Sequence, residues 1–374
     1  MNNTINPIFS NKIAVVFSSD ENYAPYLGVT IQSLLSHINS SQTYDIVILE
    51  DNLSKNNKEK IAKLSKSDNV SIRYYNIKQF IKGYSFYTLA HFSEATYYRI
   101  FVEFIFSLYE KVIYCDCDAI LLEDISCLYP IDLTNKMLGA VRDTEVIKRL
   151  YSKNPKELYY FNDFLNLKDS TNYFQAGLLI FNIKEVIKNK LHDNFLTTLA
   201  KIKTPKFVDQ DILNIIAENK IKFLPQKWNI ENHIVVYNKN LQGLMPNEIR
   251  LEYEEGMKNV AFLHYSSSKK PWIFPNIENA HLWWHYARQT PFYEEILYKN
   301  LKVNPVQNIT QQITKVADMS IIREIKNYSK NRFNYYRCKL LANFTFGKMR
   351  KHYKDKKKRL KAKIKEVRRF LKGK

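Results

Sequence analysis

The segment that most constrains the fold is residues 111–118, Lys-Val-Ile-Tyr-Cys-Asp-Cys-Asp. A short apolar run that ends in two carboxylates is typical of a buried strand that presents acidic side chains at the edge of a sheet. Asp116 and Asp118 can hold one ion if the chain turns where the strand ends, and such oxygen ligands suit Mg²⁺ or Mn²⁺. The alternative for the pair taken alone is a solvated turn.

Strands and helices alternate through the first 75 residues. Apolar runs of the buried-strand type cover residues 13–19, 44–49 and 70–75. Amphipathic helical segments lie between them, and the second of these is expected to begin at Ser54 as its N-cap. This alternation predicts an α/β fold with a mostly parallel sheet covered on both faces. Ligands of such sheets bind beyond the carboxyl ends of the strands, where the Asp20 loop falls.

The middle of the chain continues the pattern. We expect Ser93 to cap a helix with an apolar stripe at helical spacing, which leaves Arg99 on a different face. Further strands are expected at residues 137–141, 176–181 and 261–264, and a helix is expected to open at Phe207. With only 8 glycines and no glycine-rich phosphate loop, the sequence requires another anchor for any phosphate ligand.

Charge divides the chain into two parts. Residues 1–301 carry 34 basic and 33 acidic side chains, whereas residues 348–374 carry 15 basic and 2 acidic ones. A strongly basic tail is expected to bind a polyanion, either an anionic membrane face or nucleic acid. A nucleic-acid-binding protein should also carry cations across its folded face, which the near-neutral body lacks, so no nucleic acid is expected.

The cysteines and the absence of long apolar runs bear on location. The 4 cysteines form neither a secreted disulfide framework nor a CxxC zinc pair, which predicts free thiols in a reducing compartment. The sequence has no signal-peptide pattern and no run of about 18 apolar residues, the length that a membrane span needs. We therefore expect a cytoplasmic protein, peripheral on the inner face of the cytoplasmic membrane.

Several motifs in order give the chain a family resemblance over about residues 12–272: FSSDENY, FSEATYYR, YCDCD, YFQAGLLIFN with FVDQDILN, and HYSSSKKPW. Together they resemble a family-eight glycosyltransferase of the GT-A fold, the group that includes bacterial lipopolysaccharide galactosyl- and glucosyltransferases and glycogenin. The resemblance implies a nucleotide-binding α/β sheet, a UDP-sugar donor and a Mn²⁺ (or Mg²⁺) ion. It also implies retention of the donor's anomeric configuration.

The resemblance assigns the metal and the nucleotide to particular residues. It makes Asp116, Asp118 and His264 the metal ligands, and it places Lys270 on the diphosphate. The uridine contacts are then Asp20, Asn22 and Tyr23, with the tyrosine ring stacked on uracil. A metal and a lysine together suit a departing UDP, because both stabilise the negative charge that develops on it.

The resemblance also assigns the sugar side of the site. Arg99 would touch the donor sugar and phosphate, and His91 would line the same cleft. Asp209 and Gln210 would bind the donor sugar and face its anomeric carbon. Because glutamine is a poor nucleophile, a front-face mechanism is favoured, in which the acceptor attacks from the side that UDP leaves.

Two positions depart from the family pattern. Gln175 stands where the family commonly has asparagine, so the sugar-facing amide is one carbon longer. Ser267 stands where glycine is common, and it either crowds the phosphates or adds a hydrogen-bond donor to them. Neither departure removes a metal ligand.

The expected domain organisation is a catalytic GT-A domain over residues 1–300 and a basic, aromatic-rich helical region over residues 301–374. In the latter, Leu360, Ile364, Val367 and Leu371 fall on one helical stripe among cations, as in membrane-surface helices. Residues 330–374 are expected to contact an anionic membrane surface. The alternatives for the tail are a solvated or partly disordered segment and a nucleic-acid contact.

The predicted function is therefore metal-dependent, retaining hexosyl transfer. The enzyme would move glucose or galactose from UDP to a saccharide or lipid-linked saccharide acceptor, such as lipopolysaccharide or another cell-surface glycan. Two alternatives stay open: a nucleic-acid-binding protein that acts through its cationic tail, and a GT-A fold that has lost catalysis.

Overall fold

The computed structural model describes residues 4–65, 67–84, 86–87, 93–233 and 245–303, with residues 331, 334–336, 338–339 and 347–372. The chain divides into two compact units, residues 1–299 and residues 300–374. All four cysteines are free thiols. The predicted cleft residue His91 lies outside the described residues.

A seven-stranded sheet forms the centre of the first unit, in the order β3-β2-β1-β4-β7-β6-β8. Its strands are β1 Ile13–Ser18, β2 Tyr44–Glu50, β3 Val70–Asn76, β4 Lys111–Cys115, β6 Leu138–Arg142, β7 Phe174–Asn182 and β8 Ile221–Phe223. Neighbouring strands are parallel, except that β7 is antiparallel to both β4 and β6. The predicted α/β class with a mostly parallel sheet is confirmed.

Alternate residues of the central strands pack into two separate hydrophobic cores. In β1, Val15 and Phe17 belong to one core, while Ala14 and Val16 belong to the other. Because successive side chains of a strand point to opposite faces, this division means that both faces of the sheet are covered. The uninterrupted apolar sequence of β1 follows from that double burial.

α-Helices connect and follow these strands. They are α1 Ala24–Leu35, α2 Lys55–Ala62, α3 Lys78–Ile81, α4 Val102–Ile105, α5 Thr144–Tyr151, α6 Pro155–Leu158, α7 Ile183–Lys188, α8 Leu191–Ile202, α9 Val208–Ile216, α10 Asn247–Lys258, α11 Ala280–Ala287 and α12 Tyr293–Val303. Ser54 caps α2 as expected, since its side chain accepts a hydrogen bond from the Asn57 backbone N–H.

The expected helix after Ser93 differs from the prediction. Residues Glu94–Phe101 form a 3₁₀ helix that continues into the short α4, and the Ser93 side chain makes no capping hydrogen bond. A 3₁₀ helix has about three residues per turn, so the burial pattern drifts from the α-helical one. Phe104 is 38% exposed, whereas the other residues of the predicted apolar stripe are buried, namely Tyr97, Ile100, Phe101 and Ile105.

A small second sheet carries part of the cavity lining. It contains β5 Ala119–Leu121, β9 Ile230–Glu231 and β10 Phe262–His264, in the order β5-β10-β9. In this sheet β10 is antiparallel to β5, so that His264 pairs with Ala119, and it is parallel to β9. Residues far apart in sequence are thereby placed next to the end of β4.

The C-terminal unit contains the helix α13, Gly347–Lys372. Along the part of this helix whose side chains are described, lysines and arginines are mostly exposed, whereas Leu360 and Ile364 are partly buried. The side chains of Val367 and Leu371, also assigned to the apolar stripe, lie outside the described ones. Among the described residues, no helix has the length and apolar character that a membrane span requires.

Candidate active site

A cavity of about 610 Å³ opens beyond the carboxyl ends of the central strands. The predicted site residues that line it are Asp20, Tyr23, Arg99, Asp116, Asp118, Gln175, Asp209, Gln210, His264 and Lys270. Asn22 is exposed and does not belong to the lining. The strand-end rule therefore locates the cavity, as it does for other parallel sheets.

The acid pair lies in the break between β4 and β5. The backbone N–H of Asp116 donates to the Gly177 carbonyl over 2.8 Å, and the Asp118 carbonyl accepts from the Tyr265 N–H over 2.9 Å. These bonds tie the turn to β7 on one side and to the end of β10 on the other. The chain turns as the strand ends, which is the condition that the two carboxylates need in order to converge.

His264 completes the group with the two carboxylates. Its Nε2 lies 3.0 Å from Asp118 Oδ1 and 3.8 Å from Asp116 Oδ2. Within the described part of the chain, one ligand atom from each of the three residues lies within 4.8 Å of the others. Two carboxylates and one imidazole form a donor set that suits a divalent cation such as Mn²⁺, so the residues fit the implied metal.

Gly177 is required by the position of His264. A Cβ atom added at Gly177 would overlap the His264 ring and would lie 2.8 Å from Gln175 Oε1. A side chain in this place would displace the imidazole from the two carboxylates. This close approach of backbone to ring gives a physical reason for glycine in the YFQAGLLIFN segment.

Charges around Asp118 compensate one another. Burial alone would raise the pKa of Asp118, but the ammonium of Lys270 and the ring of His264 hold that pKa well below its usual range. Lys270 Nζ donates to Asp118 Oδ2 and to the Tyr265 carbonyl, the latter over 2.7 Å. Burial lowers the pKa of His264, and the adjacent Asp118 more than offsets this, so that its pKa is raised.

Arg99 is a buried cation that links the acid pair to Asp209. Its Nη2 donates to Asp116 Oδ1 over 2.7 Å, and its Nε lies 3.2 Å from Asp209 Oδ2. Its Nη1 donates to the Ala176 carbonyl, and the guanidinium lies 4.1 Å from the centre of the Tyr114 ring. Burial opposes its charge, but the two carboxylates raise its pKa further.

Gln210 is held by hydrogen bonds at both ends of its amide. The backbone N–H of Ala176 donates to its Oε1 over 2.9 Å, and its Nε2 donates to Asp143 Oδ2 over 2.9 Å. Val208, two residues earlier, has a φ of 47°, a left-handed conformation that strains a β-branched residue by about 1–3 kcal/mol. The strained residue directly precedes Asp209 at the start of α9.

Gln175 is also bound within the protein. Its Oε1 accepts hydrogen bonds from the Gly177 backbone N–H and from Asn229 Nδ2, each over 2.5 Å. The sequence predicts an amide that faces the donor sugar. Gln175 lines the cavity as expected, and the structure adds these two internal contacts to the oxygen of its amide.

The turn before α1 contributes an aromatic side chain to the cavity lining. Asp20 Oδ1 accepts from the Tyr23 N–H over 2.9 Å, which fixes the turn before α1. The Tyr23 ring makes edge contacts with Tyr26 and Trp272, and these last two rings stack 4.0 Å apart. Trp272 ends the HYSSSKKPW motif, so the first and last motifs of the chain meet beside the acid pair.

Sequence reasoning missed three buried polar residues of the site, Asp143, Asn229 and Glu231. Asp143 follows β6 as Asp116 follows β4, so the strand-end rule could have found it. Burial and the nearby Glu231 raise the pKa of Asp143 to about 8. Asn229 and Glu231 carry no comparable signal, because they enter through the pairing of β9 with β10.

A sequence model of one known family, Glycosyl transferase family 8, matches residues 14–274. The chain belongs to this family. Among curated relatives, general stress protein A of Bacillus subtilis is 26% identical over 263 residues, which is 69% of this chain and 86% of the relative. Lipopolysaccharide 1,2-glucosyltransferase of Escherichia coli K12 is 25% identical over 279 residues, 72% of this chain and 76% of the relative.

Solved structures share the fold. The bifunctional glycosyltransferase WbbM superposes with a TM-score of 0.70 at 29% identity, covering 80% of this chain and 53% of WbbM. The galactosyltransferase LgtC, solved with donor and acceptor sugar analogues, superposes with a TM-score of 0.63 at 22% identity, covering 74% of this chain and 96% of LgtC. The GT-A fold and the family 8 membership predicted from sequence are confirmed.

Proposed function

We propose that this family 8 glycosyltransferase is a metal-dependent, retaining hexosyltransferase that uses a UDP-sugar. It moves glucose or galactose to a saccharide acceptor of the cell surface, such as lipopolysaccharide. The observation that carries the proposal is the convergence of Asp116, Asp118 and His264 on one point of a 610 Å³ cavity, with Lys270 beside them. Such a site suits a diphosphate that is bound through a divalent cation and a lysine.

Asp116, Asp118 and His264 would hold Mn²⁺ or Mg²⁺. When bound, the ion supplies positive charge that neutralises the diphosphate of the leaving UDP. Lys270 supplies a second positive charge from the protein itself, on an ammonium that Asp118 and the Tyr265 carbonyl already orient. Oriented charges of this kind stabilise a developing anion without reorganisation at the moment of reaction.

The sugar side of the site follows from the contacts of Arg99, Asp209 and Gln210. Arg99 would touch the donor sugar and phosphate, and Asp209 would accept a hydrogen bond from a sugar hydroxyl. Gln210 has its amide fixed by Ala176 and Asp143, so the position and direction of its carbonyl dipole do not vary. A fixed amide suits electrostatic support of a positively charged anomeric carbon better than it suits nucleophilic attack.

The reaction would then follow the front-face course. The acceptor hydroxyl oxygen bonds to the anomeric carbon on the side from which UDP departs. The bond between that carbon and the phosphate oxygen breaks, and its electron pair leaves with UDP. The hydroxyl proton passes to the departing phosphate oxygen, so no protein base is required.

The nucleotide would be read at the turn before α1. Tyr23 offers its ring to uracil, a contact worth roughly 1–3 kcal/mol for a base on an aromatic face. Asp20 and Asn22 would meet the ribose or the base edge, and His91 would line the same cleft. The exposure of Asn22 means that it would act from the rim of the cavity.

The proposed acceptor follows from a relative of this chain, and the proposed location follows from the charge of α13. The relative from Escherichia coli is named a lipopolysaccharide 1,2-glucosyltransferase, which supports a saccharide or lipid-linked saccharide acceptor here. Residues 330–374 would bind the anionic inner face of the cytoplasmic membrane, since α13 exposes many lysines and arginines. The near-neutral charge of residues 1–301 argues against a nucleic acid as partner.

The test is donor turnover. Purified full-length protein with Mn²⁺ is incubated with UDP-glucose, UDP-galactose and other UDP-sugars, and UDP release is measured. We expect release from a UDP-hexose that stops when a chelator is added. Turnover that continues unchanged in chelator would contradict the metal assignment, and no release from any UDP-sugar would favour a GT-A fold that has lost catalysis.

A further inference from the structure

We propose that Asn229 is a positioning residue for metal binding, because it holds the His264 ring in the tautomer whose Nε2 is free for a cation. Asn229 and His264 are each 1% exposed, so water does not compete for their contacts. This inference rests on the proposed metal site. It adds a residue that touches neither the ion nor the sugar.

A backbone N–H group can only donate, and one such group determines the orientation of the Gln175 amide. The Gly177 N–H donates to Gln175 Oε1 over 2.5 Å, so this atom of the Gln175 amide must be the carbonyl oxygen. The same oxygen lies 2.5 Å from an amide atom of Asn229. Two carbonyl oxygens would repel each other at that distance, and therefore the Asn229 atom must be the amide nitrogen.

The orientation of Asn229 then determines the state of the histidine ring. With its nitrogen directed at Gln175, Asn229 presents its oxygen to His264 Nδ1 at 3.1 Å. An amide oxygen only accepts, so Nδ1 must carry a hydrogen. In the protein without a cation, Nε2 donates its own hydrogen to Asp118 Oδ1 over 3.0 Å. When a cation takes the place of that hydrogen, Nδ1 keeps its proton and the lone pair of Nε2 is the one that binds the ion.

The hydrogen bonds from the Gly177 N–H through Gln175 and Asn229 thus determine that Nδ1 of His264 carries a proton. Heavy-atom positions alone do not show this, but a backbone N–H can only donate, so the direction of the whole chain of bonds is known. In this chain of bonds the amide oxygen of Gln175 orients the amide of Asn229. A hydrogen bond to the second nitrogen of a metal-binding histidine orients the ring and raises its basicity. Loss of such a partner typically lowers metal affinity 10–100-fold.

The test compares two nearly isosteric variants of the full-length chain. In Asn229→Leu the acceptor is lost. In Asn229→Asp one oxygen still accepts from His264 Nδ1, and the other, which faces Gln175 Oε1, keeps the original contact by carrying a proton that it donates to that oxygen. Mn²⁺ affinity is measured without nucleotide, from the free Mn²⁺ signal in electron paramagnetic resonance. We expect the Mn²⁺ Kd of Asn229→Leu to rise roughly 10–100-fold, and that of Asn229→Asp to stay within about threefold of the wild type.

A matched control is Asn232→Leu. Asn232 is also buried in the same segment, but the hydrogen bonds of its side chain go to Glu278 and Asn279 and not to the metal group. Its Mn²⁺ affinity should not change. If Asn229→Leu is folded and binds Mn²⁺ like the wild type, the inference is wrong while the metal site stands. No Mn²⁺ binding by the wild type would overturn both.

A second measurement needs no change at Asn229. With ¹⁵N-labelled histidine and Mg²⁺ in the full-length protein, long-range ¹H–¹⁵N spectra report which ring nitrogen is protonated. The His264 signal is assigned by its loss in His264→Gln. We expect a proton on Nδ1 of His264, and a proton on Nε2 alone would contradict the inference even if Asn229→Leu failed to fold.

Discussion

The cavity and the C-terminal helix α13 both depend on cationic side chains, but they use them in opposite ways. In the cavity the side chains of Arg99 and Lys270 are only 3% and 7% exposed, and each is paired with a carboxylate of the acid pair. In α13, lysines such as Lys351 and Lys354 are exposed. The first arrangement fixes charges at defined points, whereas the second provides a diffuse positive surface.

The difference follows from solvation. Two charges interact more strongly where water is excluded, and they must be held in good geometry to offset the loss of hydration. An exposed lysine keeps its hydration and contributes at most about 1 kcal/mol near an anionic surface. We therefore propose that the cavity carries out the chemistry and that the tail determines location. Substitutions in the cavity and removal of the tail should separate these two roles.

The largest effect is expected for Asp118→Asn. The variant loses a carboxylate that faces both His264 and Lys270, so both the cation site and the lysine lose their counter-charge. UDP release should fall by about 10³-fold, since metal and charge stabilisation are together worth several kcal/mol. The control is Asp132→Asn at a solvent-exposed carboxylate, which should keep wild-type turnover. Near-normal activity of Asp118→Asn in chelator would refute the assignment.

Arg99→Met should reduce stability as well as activity. The change leaves Asp116 and Asp209 without their shared buried cation, and the loss of one partner of a buried pair costs about 3–5 kcal/mol in the free energy of unfolding. Urea unfolding measures the loss. Arg250→Met is the comparison, because its partner Glu254 is 43% exposed and the pair should contribute about 1 kcal/mol or less. Equal losses in both variants would show that burial of the Arg99 network has no energetic consequence.

Asp143→Asn should change the pH dependence of stability. Burial and Glu231 raise the pKa of Asp143 to about 8, so between about pH 4 and pH 8 the folded state holds a proton that the unfolded state has lost. Stability from this group is therefore present at low pH and falls as the pH rises. The melting temperature of the variant minus that of the wild type should be larger at pH 8 than at pH 5. If the melting-temperature difference between the variant and the wild type is the same at both pH values, the raised pKa of Asp143 is contradicted.

The smallest effect on chemistry is expected from removal of α13. A chain that ends at residue 346 should retain Mn²⁺-dependent hydrolysis of the UDP-sugar and should lose affinity for anionic vesicles. Vesicle sedimentation at low and high salt measures the second property, because exposed charges are screened by salt. If the shortened chain loses hydrolysis, the helix belongs to the catalytic unit. If it keeps its vesicle affinity, the membrane contact lies elsewhere.

The sequence predicted the sheet well because double burial leaves a strong local signal. The runs that begin at Ile13, Tyr44 and Val70 became strands within a residue or two of their expected ends. The segment after Ser93 was less predictable, since α and 3₁₀ turns share an apolar spacing of three residues. The acid pair was recognisable because its neighbours in sequence are also its neighbours in the fold.

The rest of the site depends on contacts that no short motif contains. His264 was recognised through a family resemblance and not through its surroundings, which include Asn229 and Gly177. Asn229 enters the site because it directly precedes β9, which pairs with β10. Whether the Gln175 amide faces a sugar or the protein depends on a partner 54 residues away.

The most direct test of the central claim, that the acid pair, His264 and Lys270 form one diphosphate site with a cation, is the affinity for UDP with and without Mn²⁺. Calorimetry on the full-length wild type and on Asp118→Asn gives both values. We expect Mn²⁺ to tighten UDP binding by the wild type at least about tenfold, or roughly 1.4 kcal/mol, and to have no effect on the variant. Equal UDP affinity of the wild type in Mn²⁺ and in chelator would contradict the claim.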